Sequence, residues 1–187
     1  MGAAEDRILD AAEVVFANKG YLGGALNDVA VAAGYTRPGL LHYFHSKQAL
    51  LLALLERRDA RLRIWDRVDP GMSFVELFAV MQEGIDEIEG IRTLVQLGHI
   101  LTAEATSPDH PAYEWVRTRE KKLQDRIAAA VTISQERGEI DASWDPGVVA
   151  QVVLGSFEGI ESFWLLDETV DLGVGMAFLG DLLLPRS

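Results

Sequence analysis

Residues 26–47 read LNDVAVAAGYTRPGLLHYFHSK, and this stretch decides the fold. Leu26, Val29, Ala30 and Ala33 recur at the spacing that lines one face of a helix. Gly34 supplies the left-handed conformation that ends it. Thr36 is placed to N-cap a second short helix, with Pro38 in the first turn, where a missing N–H costs little. Ser46 then caps a further helix headed by Lys47. Helix, glycine turn and helix together predict a helix-turn-helix, whose second helix is shaped for a DNA major groove.

Outward from this stretch the chain keeps helical periodicity and short breaks. Ile8, Ala12, Val15, Phe16 and Lys19 mark a first helix stopped at Gly20, with a Gly23-Gly24 break after it. The helix after Ser46 is expected to run from 47 to about 68, where Asp69, Pro70 and Gly71 end it. Further helices are expected over about 73–89, 91–106, 112–137, 147–166 and 172–184. The prediction is an all-α protein of about nine helices in two parts. Residues 1–50 form a three-helix DNA-binding domain, helix 47–68 connects, and residues 69–187 form a regulatory and dimerisation domain.

A net charge of −12 over 187 residues argues against a polyanion as partner, until it is mapped along the chain. Residues 1–68 hold nine Lys and Arg against eight Asp and Glu, whereas residues 69–187 hold eight against twenty-one. A polyanion is therefore accepted by the first third and repelled by the rest. The absence of cysteine excludes disulfides and thiolate metal sites. The first residues lack the basic-then-apolar pattern of a secretory leader, and apolar runs such as 49–55 are too short for a bilayer. These features predict a cytoplasmic protein without a membrane segment.

Packing of Val29, Ala30, Leu40 and Phe44 against Val15 and Phe16 leaves Arg37, Gly39, His42 and Tyr43 for the exposed side of the second motif helix. Arg37 can give bidentate hydrogen bonds to guanine, and His42 and Tyr43 can donate to phosphate or bases. Gly39 permits close approach at a cost of ~1 kcal/mol in helix stability. Lys47 adds positive charge to a helix end that is already positive, which disfavours the free protein slightly and favours a docked phosphate. With Asn27 and Thr36, these seven are the candidate contacts to double-stranded DNA.

Residues 5–50 resemble the DNA-binding domain of the TetR family of bacterial transcriptional regulators. The resemblance is carried by residues 8–12, Phe16, Gly20-Tyr21, Asp28-Val29-Ala30, Ala33-Gly34, Phe44 and Ser46-Lys47. Two departures accompany it. Gly24 and Ala25 stand where relatives place a capping Ser or Thr, and Leu41 stands where they often place Tyr. Weaker intrinsic DNA affinity is the expectation, with Tyr43 and His42 replacing the lost contact.

The resemblance implies a homodimer, because one recognition helix reads only a few base pairs. It also implies a small-molecule effector held in the second domain, releasing a repressor from a palindromic operator. Val152, Gly155, Ser156, Gly159, Phe163, Phe178 and Leu182 combine apolar surface with small residues and are the expected dimer interface. Phe78, Met81, Leu97, His99, Leu101, Trp115 and Phe157 are the expected pocket lining, with Glu104, Glu158 and Glu161 as acidic residues able to face it. No cofactor or metal site is expected. The four histidines form no paired Glu-x-x-His motif, and no nucleophile elbow, P-loop or dinucleotide fingerprint occurs. The expectation is not an enzyme; the alternative is a helical protein-interaction module with a vestigial DNA-binding head.

Overall fold

Side-chain caps written into the sequence set five of the helix starts. The computed structural model describes residues 2–61 and 67–184, and every regular element among them is helical. In order these are α1 (Ala3–Gly23), α2 (Leu26–Ala33), α3 (Arg37–Tyr43), α4 (Lys47–Arg61) and α5 (Phe74–Glu83). They are followed by α6 (Ile85–Glu89), α7 (Arg92–Glu104), α8 (Tyr113–Glu136), α9 (Pro146–Leu166) and α10 (Leu172–Leu183). Thr36 Oγ1 accepts the Gly39 N–H at 3.2 Å, and Ser46 Oγ accepts that of Ala49 at 3.0 Å. Asp145 and Asp171 start α9 and α10 in the same way, each at 2.9 Å. Ser73 and Glu76 form a reciprocal capping box at α5. Such caps stabilise a helix by ~1 kcal/mol each. Ala25 gives α2 no side-chain cap, as the Gly24-Ala25 departure implies.

One difference from the sequence reading has a local cause. The single helix expected over 73–89 is divided into α5 and α6 at Gly84, whose backbone (φ −83°, ψ −3°) opens the turn. The distal part of the helix expected from 47 to about 68 includes residues 62–66, which lie outside the described residues.

The chain groups into two units. The first contains α1–α4 together with residues 91–116, so α7 and the first turn of α8 belong with the helix-turn-helix. Its core is one cluster in which Phe16, Ile8, Leu40, Leu50 and Leu54 are fully buried and Leu97 and Leu101 of α7 take part. Burying side chains of this size contributes about 1.5–3 kcal/mol each. Polar ties supplement the cluster. Arg57 of α4 pairs with Asp10 (2.7 Å) and Glu13 (3.1 Å) of α1, and Gln96 Nε2 donates to the Ala17 carbonyl (3.0 Å).

The second unit contains α5, α6, α9, α10 and α8 from residue 117 onward. Phe74 and Phe78 meet edge to face at 5.8 Å, and Leu77, Met81, Ile127, Val131, Val153 and Met176 are buried in the same unit. Ser134, fully buried on α8, accepts the Phe74 N–H (2.9 Å) and donates to Glu139 (2.6 Å), which fixes the start of α5.

Candidate nucleic-acid interface

The helix-turn-helix is assembled around one left-handed residue. Gly34 sits at φ 75°, ψ 29°, and its N–H and that of Tyr35 return to carbonyls of the last turn of α2. The chain thereby reverses into α3, of which Leu40 alone is buried and inserts into the core of the first unit. Arg37, His42 and Tyr43 are exposed, Gly39 is half-buried, and the capping Thr36 is exposed at the start of the helix. Asn27 is exposed near the start of α2. The Lys19–Asp28 ion pair (2.7 Å) ties α2 to α1. Six of the seven candidate DNA contacts thus lie on α2, α3 and the turn before α3.

The seventh, Lys47, has a built environment. Its ammonium stands 4.3 Å from the centre of the Tyr21 ring and 6.0 Å from that of Phe16. Burial lowers its pKa, and Glu104 pulls it back upward. The Tyr21 ring is itself held in place. Glu104, at the C-terminal end of α7, accepts the Tyr21 N–H at Oε2 (2.8 Å) and the Leu22 N–H at Oε1 (3.3 Å). These donors are free because α1 breaks at Gly20, which adopts φ 69°, ψ 172°. A side chain at position 20 would be strained by the positive φ and would displace the Glu104 carboxylate that caps this break.

His110 closes this corner from the loop after α7. Its ring meets Tyr21 edge to face at 5.2 Å, and its side chain is 2% exposed. Nδ1 accepts the Ala112 N–H at 3.2 Å, which places the neutral ring's proton on Nε2. That Nε2 lies 3.7 Å from Glu104 Oε2, beyond hydrogen-bond distance. Glu104, one of three acidic residues able to face a ligand or to form a solvated face, is engaged by the backbone of α1. Its partners lie more than eighty positions away, and no local pattern announces them.

The other expected sites lie elsewhere. Phe78 and Met81 are buried on α5, and Phe157 is half-buried on α9, all in the second unit. Leu97, Leu101 and the partly buried Trp115 belong to the core of the first unit, and His99 is half-buried on α7. A cleft of about 250 Å³ in the second unit is lined by Val68, Asp69, Pro70, Met72, Leu77, Asp125, Arg126, Ala129 and Ala130, none of them among the seven expected lining residues. Its residues come from the loop over 68–72, from Leu77 of α5 and from Asp125, Arg126, Ala129 and Ala130 of α8, a combination no single helical periodicity picks out.

The expected dimer residues form a surface. Phe163 and Phe178 are 65% and 64% exposed, Val152, Gly155 and Leu182 are exposed, and Ser156 and Gly159 are half-buried. Val148, Val152, Gly155, Gly159, Phe163 and Leu166 follow one another by three or four residues along α9, while Val174, Phe178 and Leu182 do so along α10. No side chain of the described residues comes within 4 Å of a Cβ added at Gly155 or Gly159. By length and composition α9 would suit a membrane span, yet a third of that window is buried in its own unit and Glu158 and Glu161 lie in it.

Comparison with known proteins adds to this geometry. The family described as "Bacterial regulatory proteins, tetR family" matches residues 8–54. The A-factor receptor protein of Streptomyces griseus is 27% identical over 161 residues, covering 82% of this chain and 52% of that protein. The chain therefore spans about half the length of that relative. The putative mycofactocin biosynthesis transcriptional regulator MftR of Mycobacterium tuberculosis is 29% identical over 184 residues, covering 91% of this chain and 85% of its own length. Among solved structures, the SmeT–triclosan complex superposes with a TM-score of 0.77 at 21% identity, covering 100% of this chain and 94% of that one. SmeT is the repressor of the Stenotrophomonas maltophilia multidrug efflux pump SmeDEF.

His110 supplies a pH test. Burial holds its pKa below the ordinary value of 6.5, with Glu104 opposing and Lys47 adding to the shift. The unfolded chain therefore takes up this proton at a higher pH than the folded one. Stability at this site is complete above the ordinary histidine pKa and is lost as pH falls through it. In urea titrations between pH 7.5 and 5.5, wild type should lose more stability than His110→Gln; equal losses would refute the assignment.

Proposed function

We propose that the chain, whose residues 8–54 match the tetR family of bacterial regulatory proteins, is a cytoplasmic, homodimeric, ligand-responsive repressor that binds a palindromic operator. The exposed polar face of α3 carries this reading. A seven-residue helix with one buried residue contributes little to a core, yet it presents Arg37, His42 and Tyr43 to solvent beside a capped start. Recognition helices contact base edges with their N-terminal residues, which is where Arg37 stands. Arg37 is assigned to a guanine edge, His42 and Tyr43 to bases or phosphate, and Asn27, Thr36 and Lys47 to the backbone, with Gly39 allowing close approach.

The apolar stripes of α9 and α10 support the dimer. Exposed Val152, Phe163, Phe178 and Leu182 with open Gly155 and Gly159 suit a self-complementary surface, with Ser156 at its edge. A two-fold dimer matches a palindromic site. The effector rests on kinship: SmeT is solved with triclosan, and the Streptomyces griseus relative is named a receptor. Within the second unit Phe78, Met81 and Phe157 remain the pocket candidates; Leu97, Leu101, His99 and Trp115 are on the α7–α8 segment of the first.

Selection of duplexes from a random pool, followed by binding titrations, tests the reading. Arg37→Ala should lose about 1–3 kcal/mol, concentrated at one base position of each half-site. Lys47→Ala should weaken binding to all sequences alike and flatten the salt dependence by roughly 0.9 per subunit. Failure of wild type to enrich any duplex would favour the protein-interaction module instead.

The dimer is tested by sedimentation. Wild type should sediment as a dimer at micromolar concentration and Phe163→Asp as a folded monomer with greatly weakened operator binding. A monomeric wild type would contradict the assignment of α9 and α10.

A further inference from the structure

The first helix contributes a cation that lies outside the helix-turn-helix itself. Arg7 is exposed on α1, and its Nη2 donates to the Tyr35 hydroxyl at 2.7 Å. Its guanidinium carbon lies 5.4 Å from the centre of the same ring. Tyr35 occupies the turn between α2 and α3, next to the capping Thr36. Its ring meets Tyr43 edge to face at 5.9 Å, and Tyr43 meets His42 in the same way at 5.4 Å. A continuous row thus runs from Arg7 through Tyr35 to the exposed face of α3.

Neighbouring acids do not neutralise this arginine. Glu5 accepts the Gly2 N–H at 2.8 Å, and Asp10 is paired with Arg57 at 2.7 Å. Among the described residues no carboxylate pairs with Arg7. A guanidinium has five N–H donors, and Tyr35 takes one. The others face solvent beside the recognition helix, with part of the side chain's freedom already removed by the tyrosine. A fixed, unneutralised fork at this place matches the geometry of a phosphate diester.

We infer that Arg7 is a phosphate-contacting residue of the DNA interface and that Tyr35 positions it. The inference rests on the DNA-binding reading of α3. Because phosphate contacts carry no sequence information, Arg7 strengthens binding to every duplex by the same factor. Each dimer neutralises two more phosphates than the helix-turn-helix alone, which steepens log K against log salt by about 1.8. Tyr35 sets the efficiency of this contact, and its ring braces Tyr43 without the hydroxyl.

Binding of the selected duplex and of an unrelated one is measured against salt for wild type, Arg7→Ala, Arg7→Lys, Tyr35→Phe and the Arg7→Ala/Tyr35→Phe double variant, with melting temperature as the control. Arg7→Ala should flatten the salt slope by about 1.8 per dimer and weaken both duplexes alike, at an unchanged melting temperature. Arg7→Lys should restore most of the slope. Tyr35→Phe keeps the ring and should weaken binding several-fold, while costing nothing further in the Arg7→Ala background. Wild-type slope and affinity in Arg7→Ala, with Lys47→Ala still impaired, would overturn this inference alone. Absence of binding by wild type would remove the DNA-binding reading and this inference with it.

Discussion

The carboxylate of Glu104 at the broken end of α1 is the contact on which the arrangement of the first unit turns. A helix interrupted at Gly20 leaves N–H groups that would cost about 1–3 kcal/mol each if buried unpaired. Glu104 takes two of them, from Tyr21 and Leu22, and anchors the end of α7 to the corner leading into α2. That corner fixes the Tyr21 ring, against which both Lys47 and His110 rest. One carboxylate therefore links α1, α4, α7 and the loop carrying His110. Residues 91–116 belong with the helix-turn-helix because this link and the shared core of Phe16, Leu97 and Leu101 hold them there.

A chain of net charge −12 can address a polyanion only if its cations are placed, not merely present. Several of the basic residues in the first unit are taken up internally. Arg57 and Arg61 are paired with α1, Arg58 donates to the Leu94 carbonyl, and Lys19 is paired with Asp28. Arg37 stands on the exposed face of α3, Arg7 is tethered through a neutral tyrosine, and Lys47 rests on an aromatic ring. On the proposed reading, the acidic second unit keeps nonspecific attachment weak while these few positions supply the attraction.

Residues 26–47 made the helix-turn-helix legible because its determinants are local: periodicity over one turn, Gly34 after α2, Thr36 and Ser46 before α3 and α4. The break at Gly20 was equally visible. What it was for was not, because Glu104 lies eighty-four positions later and outside any motif. The Arg7–Tyr35 contact is likewise long-range, and a tyrosine in a turn carries no periodic signal. Gly84 divided a segment whose apolar spacing was uniform, since one glycine in a helix costs only ~1 kcal/mol and tertiary packing decides the outcome. The stripe on α9 and α10 could be read as surface or core from sequence; exposure of Phe163 and Phe178 made it surface. Pocket residues were least legible, because a lining side chain and a core side chain share the same chemistry until a cavity is seen.

The most direct measurement is a hydroxyl-radical footprint of the full chain on a duplex obtained by selection. The proposed regulator should protect two patches on one face of the DNA, related by two-fold symmetry, with centres separated by one helical turn or a multiple of it. A single unsymmetrical patch, or uniform protection that disappears in moderate salt, would contradict a dimer reading a palindrome through α3.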